Sequence, residues 1–408
     1  MEELMRFLIC VSLFVFASSV SHATPAEKDW TMLVYLNGDN SLDDFGPKNI
    51  NQMEKVGSSD KVNVVVQWAS LERGTAQRLL IKQDNDLTTV TSPVVQDMGK
   101  VDMGDYKSLV DFVKWGVANY PAKHYFIDVW DHGGGWHLSN QAKSKTSEIF
   151  TRVKSRPMDI SWDDGSGNFI TIPQLGLALK EAAKIIGHKV DVYASDACLM
   201  AMPEVSTEMS DSVSIFAGSE ETEPGAGWPY DSFLTAWNRA QDSSPANVAK
   251  LLADLYVKSY EDGENGSQEV TFSVFDLSKT ESLNRSILNL GASLGSLSAD
   301  SKALVVKAIG GTQTFLYSDF GDLGDFIKNL ESAKIPEIKS DTVNSVKLAM
   351  GAFLLANHAT QGSYAKATGV SIWLPGSADA LNSYWDKYTT LQFQQTTHWG
   401  DALKAVYK

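Results

Sequence analysis

Short, almost unbroken apolar runs recur between helical stretches along this chain, and that alternation restricts the fold more than any other feature. Trp30 to Gly38, Val62 to Trp68, Tyr125 to Trp130, Val190 to Met200 and Val213 to Gly218 read as strands. They are apolar on both faces instead of alternating, as strands are in a parallel sheet covered by helices on each side. Between them, Tyr106 to Tyr120 places Leu109, Phe112, Val113 and Val117 at helical spacing. Ile172 to Ile186 does the same with Leu175, Leu177, Leu179, Ala182 and Ile186, and Gly187 supplies a helix stop. A further helix is expected from about Met202 to Met209. Residues 76–83 alternate and suggest an edge hairpin. Asp39 to Asp44 reads as a polar loop that starts a helix.

The second half continues with helical stretches near 245–260, 278–294 and 341–357, and with strand candidates Val270 to Phe275 and Gly369 to Pro375. These either extend the same sheet or build a C-terminal subdomain. Residues 24–235 are therefore the expected core and 236–408 its continuation. Leu8 to Val20 follows Arg6 and precedes Ser21-His22-Ala23, the pattern of a cleaved export signal over residues 1–23. Ile9 stands before Cys10 where a lipidation signal needs a small residue, and the apolar stretch is too short for a stable membrane span. A secreted or periplasmic chain without stable membrane insertion is expected. Removing the leader takes away Glu2, Glu3 and Arg6, so the net charge goes from −15 to −14. That acidity argues against nucleic acid and anionic membranes as partners.

Past the leader Cys198 is the single cysteine, so no disulfide framework is available to an exported chain. It stands at the end of the run Val190 to Met200. His132 stands sixty-six residues earlier, at the end of Tyr125 to Trp130, and is followed by Gly133, Gly134 and Gly135. Taken singly, the cysteine reads as a small buried hydrophobe, the histidine as a hydrogen-bonded strand end and the glycines as a tight turn. Together they are the thiol and base that nucleophilic catalysis needs, placed where open parallel sheets bind ligands. The amides of Gly133 and Cys198 are candidates for holding an oxyanion. Helix amides beginning near Leu199 are expected to lower the thiol pKa. Asp196, two residues before Cys198, opposes thiolate formation and reads either as the floor of a pocket for a cation or as a cap on the next helix.

From His137 to Asn168 apolar periodicity is absent, and Lys143, Lys145, Arg152, Lys154 and Arg156 concentrate there in an otherwise acidic chain. No zinc-like cluster is present, and Asp163 to Asn168 reads as a turn lacking calcium-loop spacing. No cofactor or metal is expected from these residues.

At five stretches the sequence resembles the clostripain-like cysteine peptidases, relatives of caspases, gingipains and legumain: Trp30 to Leu42 (WTMLVYLNGDNSL), Asp131 to Trp136 (DHGGGW), Ile160 to Ser166 (ISWDDGS), Ser195 to Met200 (SDACLM) and Ser219 to Tyr230 (SEETEPGAGWPY). Beyond residue 235 it fades, apart from GVSIWLP near 370. The resemblance implies a caspase-like three-layer α/β/α sandwich with a mostly parallel central sheet and a His132–Cys198 dyad. It further implies endopeptidase cleavage after arginine or lysine with Asp196 in the selecting pocket, and polypeptide substrates carrying basic residues. Glu220, Glu221, Glu223 and Asp231 are further acidic candidates for that pocket. Self-cleavage in the linker 137–168 would follow, with Lys143 and Lys145 as first candidates. Some members of the family depend on calcium, but no stretch here marks a site. A ligase resolving the same thioester with an amine, and a non-catalytic binding protein on the same fold, are the alternatives.

Overall fold

The computed structural model describes residues 26–136 and 159–408. The expected leader, and the linker candidates Lys143, Lys145, Arg152, Lys154 and Arg156, lie outside the described residues. In chain order the strands are β1 (Lys28–Gly38), β2 (Val62–Ser70), β3 (Thr75–Leu80), β4 (Val94–Gly99), β5 (Ala122–Trp130), β6 (Ile160–Asp163), β7 (Asn168–Ile170), β8 (Val190–Asp196) and β9 (Val213–Gly218). They continue with β10 (Glu261–Gly263), β11 (Gly266–Ser267), β12 (Thr271–Asp276), β13 (Phe320–Asp322), β14 (Leu354–Ala359) and β15 (Ser371–Trp373). Nine of these form one sheet in the order β14-β12-β9-β8-β5-β1-β2-β3-β4. The five central strands, β9 to β2 in that order, run parallel. Antiparallel pairs close both edges.

The doubly apolar strands have the role their composition requires. In β1, Leu33 and Tyr35 face one core with Phe112, Leu175 and Leu179. Met32 and Val34 face the other with Ile50, Phe233 and Trp237. Helices therefore cover both faces, giving three layers. Helix Ile172–Ile186 starts on a capping box between Thr171 and Gln174 and stops at Gly187 with φ 92°. Its Leu177 is half exposed, outside the packed stripe. Residues 236–408 add β12 and β14 to the central sheet, and helices Thr280–Leu294, Leu323–Ala333 and Trp399–Val406 bury into the first of the two cores.

Two local expectations are corrected and one open alternative is decided. The helix near 341–357 ends at Phe353, and residues 354–359 instead become edge strand β14, because pairing with β12 outweighs a helical pattern. Ser371–Trp373 pairs with β13 in a separate two-stranded sheet and does not join the main one. Residues 160–170, read as the end of a long loop, form the hairpin β6–β7 around the turn at Asp163 to Asn168.

Candidate active site

Strands β8, β5 and β1 lie side by side, with Trp130 opposite both Asp196 and Leu36. Two residues past those positions stand His132 and Cys198. Both line a narrow crevice together with Leu42, Asp196 and Glu223. From β1 the chain steps to β2 on one side, and later to β5 on the other. The crevice opens beyond this reversal, where the connecting loops diverge and leave room for a ligand.

The histidine is held by its neighbour. The Asp131 carboxylate accepts hydrogen bonds from Asn37 Nδ2 at 2.8 Å, Asn40 Nδ2 at 2.7 Å and the His132 N–H at 2.5 Å. Both asparagines also donate to the Trp162 carbonyl at 2.8 Å, so hairpin β6–β7, the end of β1 and the end of β5 are tied together. Burial pushes the Asp131 carboxyl up, and these donors pull it back. His132 is itself 7% exposed. Burial lowers its pKa to about 4, so the imidazole is neutral at pH 7. Its Nε2 lies 2.9 Å from Ser41 Oγ.

The glycines are required by close approach. A Cβ on Gly133 would come within 2.5 Å of the Cys198 carbonyl oxygen and 3.1 Å of its nitrogen, and Gly135 has φ +60°. The segment is anchored by the Gly134 N–H, which donates to the Asp159 carbonyl at 3.0 Å. Asp159 is in turn paired with Lys387 at 2.7 Å.

Around the cysteine the structure departs from expectation. No helix begins near Leu199: that residue has φ 65°, and the next helix is Pro203–Met209. The helix contribution to thiol acidity is therefore absent. In its place, residues 219–223 zip along 198–201, with the Leu199 N–H donating to Glu221 O at 3.1 Å and the Ala201 N–H to Ser219 O at 2.9 Å. The Glu223 N–H donates to Sγ at 3.2 Å. Burial still pushes the thiol well up, that N–H offsets only part, and the carboxylates of Glu223, Glu221 and Asp196 add to the rise. In this state Cys198 is a protonated thiol.

The floor of the crevice is acidic and buried. Tyr230 Oη lies 2.8 Å from Oδ2 of Asp128 and 2.8 Å from Oδ2 of Asp196. A phenol has one proton, so the Tyr230 hydroxyl cannot fully satisfy two ionised carboxylates at once. Burial raises Asp196 to about 6. Asp128 and Glu223 stand well above the usual carboxylate range, through burial first and the Asp196 charge second. Among the described residues none of the three forms an ion pair with lysine or arginine. Glu223 Oε1 is buried without a hydrogen-bond donor. Among the described residues no group of three His, Cys, Asp or Glu is placed to hold a metal ion.

The sequence profile of the clostripain family matches residues 34–405. The chain belongs to the clostripain family. Clostripain from Hathewaya histolytica is 24% identical over 92% of this chain and 80% of its own. A secreted cysteine protease of Bacteroides thetaiotaomicron, solved with an irreversible peptide inhibitor, superposes with a TM-score of 0.67 at 22% identity, covering 92% of this chain and 99% of the other. An inactive zymogen from Parabacteroides distasonis gives 0.67 at 19% identity, with 92% and 99% covered. The protein is accordingly a cysteine peptidase on a caspase-like α/β fold. Among its described residues no helix is long and apolar enough to cross a membrane.

Within this clostripain-family site, the remaining acidic candidates separate. Glu223 lines the crevice beside Asp196, whereas Asp231 pairs with Lys55 at 2.6 Å away from it. Glu220 is buried on the far side of its loop, accepting from the Gly369 N–H at 3.1 Å, and the Glu221 carboxyl accepts from the Thr222 N–H at 2.7 Å. His124 contacts Asp191 at 2.8 Å at the opposite end of the sheet. Sequence reasoning missed Asp128, Tyr230 and Ser41. For Asp128 a signal existed: it is a lone carboxylate in the middle of an apolar parallel strand, a position that demands a partner.

Proposed function

We propose that this peptidase cleaves polypeptides after arginine or lysine through a His132–Cys198 dyad. The reading rests above all on one observation: a thiol and a neutral imidazole from adjacent strand ends share a crevice whose buried Asp196 and Glu223 form no ion pair with lysine or arginine among the described residues. Cys198 attacks the scissile carbonyl as its proton passes to His132. The imidazolium then protonates the leaving amine, and water resolves the thioester. The Gly133 amide, which packs against the Cys198 backbone while Gly134 makes the anchoring hydrogen bond, is proposed to hold the oxyanion with the Cys198 amide. Asp196, with Glu223 beside it, receives the basic side chain. Clostripain-family membership and the zymogen state of one relative support self-cleavage in the linker at Lys143, Lys145, Arg152, Lys154 or Arg156. The secreted relative supports export.

Fluorogenic peptides ending in arginine, lysine or a neutral residue test this reading. Hydrolysis is expected to be far faster for the basic pair than for the neutral peptide, and it should vanish in Cys198→Ala and fall about 10²–10⁴-fold in His132→Ala. Purified wild-type protein should appear as two chains and Cys198→Ala as one. Cleavage by pure Cys198→Ala protein would refute the dyad, and a preference for neutral residues would refute the pocket.

A further inference from the structure

We propose that Asn49 is a positioning residue for the pocket that takes the basic side chain, its amide joining the two walls of the crevice beside Asp196; this deepens, and rests on, the specificity reading above. Asn49 lies on helix Gly46–Glu54, in the stripe that also buries Ile50 and Met53. It is 1% exposed, and a polar side chain so placed has to find its partners inside the protein.

Those partners are the crevice walls. One wall is Trp130 at the end of β5, in register with Asp196 on β8. The other is the turn Pro224 to Gly227, closed by the Gly227 N–H donating to the Pro224 carbonyl at 2.9 Å. Asn49 Oδ1 accepts from Trp130 Nε1 at 2.8 Å. Its Nδ2 donates to the Ala226 carbonyl at 2.9 Å and to Gln52 Oε1 at 3.0 Å. An indole N–H can only donate and a peptide carbonyl can only accept, so one orientation of the amide serves both walls. A carboxylate at this position would oppose the Ala226 carbonyl. An apolar side chain would release that carbonyl and leave Trp130 Nε1 buried without an acceptor.

The turn also sits against the floor. Gly227 has φ +67°, and a Cβ there would come 3.0 Å from Asn49 Oδ1 and 3.1 Å from Asp196 Oδ2. The backbone at Gly227 therefore packs against both the amide and the carboxylate. Its carbonyl accepts from Tyr260 Oη at 2.8 Å and Asn265 Nδ2 at 3.2 Å, which pins the turn to the end of helix Pro245–Ser259. Asn49 adds the link to Trp130, and that link sets the spacing across the crevice. A long cationic side chain bound for Asp196 has to pass between these walls. Both N–H groups and the oxygen of the amide are engaged there, so it acts on the pocket rather than on the thiol or the imidazole.

The test measures kcat and KM on arginine, lysine and neutral peptides for wild type, Asn49→Ala, Trp130→Phe and the double variant. Asn49→Ala should lower the ratio of kcat/KM for arginine over neutral peptides about 10–100-fold, as a shift of about 1 Å in a binding wall does. Trp130→Phe keeps an aromatic ring and removes the N–H donor, so it should lower the ratio in the same direction. The two groups share one hydrogen bond, so the double variant should do no worse than Asn49→Ala alone. Alkylation of Cys198 separates the pocket from the thiol: the preference for an arginine chloromethyl ketone over iodoacetamide should fall alongside the peptide ratio. A wild-type ratio retained in folded Asn49→Ala, losses that add in the double variant, or an alkylation preference that stays at the wild-type value overturns the assignment. If Asn49→Ala does not fold, an unchanged ratio in Trp130→Phe overturns it instead. A wild-type enzyme without preference for basic peptides would bring down the pocket reading itself, and this role with it.

Discussion

Lys387, on helix Ala378–Tyr388, reaches across to Asp159 at the start of β6, and replacing it with methionine is the sharpest test of how the C-terminal half supports the site. The pair is 2.7 Å apart, with the carboxylate fully buried and the ammonium side chain 16% exposed. Burial holds Asp159 at about 6 even with the lysine beside it. In Lys387→Met the carboxylate either stays ionised without a cation, at about 3–5 kcal/mol for a broken buried pair, or takes up a proton. Protonation is the cheaper route at pH 7.5: about one and a half pH units above that pKa, at about 1.36 kcal/mol each, sets a ceiling near 2 kcal/mol. For the sign, Asp159 is already mostly protonated at pH 5.5, so the same substitution should cost almost nothing there. Thermal melts of both proteins should therefore differ by about 2–4 °C at pH 7.5 and coincide at pH 5.5. Because the Asp159 carbonyl accepts from the Gly134 N–H next to the histidine, kcat should fall with the same pH dependence. An equal loss of stability at both pH values would refute the electrostatic reasoning and assign the effect to packing of the lysine stem.

Asp196→Asn should abolish preference for basic substrates yet raise the melting temperature at pH 8 and leave it unchanged at pH 4. Its raised pKa of about 6 means a stabilisation complete below 3.8 and lost as pH rises through 6, which asparagine does not suffer; a lower melting temperature at pH 8 would contradict this. For wild type, kcat/KM on arginine peptides should rise through a pH limb near 6 that neutral substrates lack, since the cation binds the ionised pocket. A limb shared by both substrate types would place the titration elsewhere.

Much of the scaffold was legible because composition decided it. Strands β1, β5, β8 and β9 are apolar on both faces, which only a covered parallel sheet accommodates. The ends of β5 and β8 follow from those strands, and with them the placing of His132 and Cys198. What escaped was local geometry without a periodic signature. The left-handed backbone at Leu199, which replaces a helix start with a strand-like zipper to residues 219–223, is a tertiary outcome of that pairing. β14 was hidden for a related reason, since its helical spacing continues unbroken from Ser340 until β12 offers a partner. The DNSL stretch reads as polar loop, and only the fold reveals that Asn40 and Ser41 converge on Asp131 and His132. Asp128 and Asp196 lie sixty-eight residues apart, and their shared contact with Tyr230 depends on strand order.

On the proposed reading, the carboxylates that select the substrate also hold the nucleophile in reserve. Asp196, Glu223 and Glu221 each oppose ionisation of Cys198, over and above burial. Among the described residues the one hydrogen-bond donor to Sγ, the Glu223 N–H, is too little to reverse them. An arginine or lysine side chain seated on Asp196 changes the sign of that field, because its charge neutralises the floor and adds a cation at short range. An opposite charge within about 4–6 Å shifts a pKa by about 1–3 units, and each unit is tenfold in thiolate fraction. A neutral side chain fails in two ways: it leaves the carboxylates desolvated without compensation, and it leaves the thiol protonated. Selectivity built this way appears in kcat as well as in KM, since the substrate supplies part of the electrostatics that the missing helix at Leu199 does not.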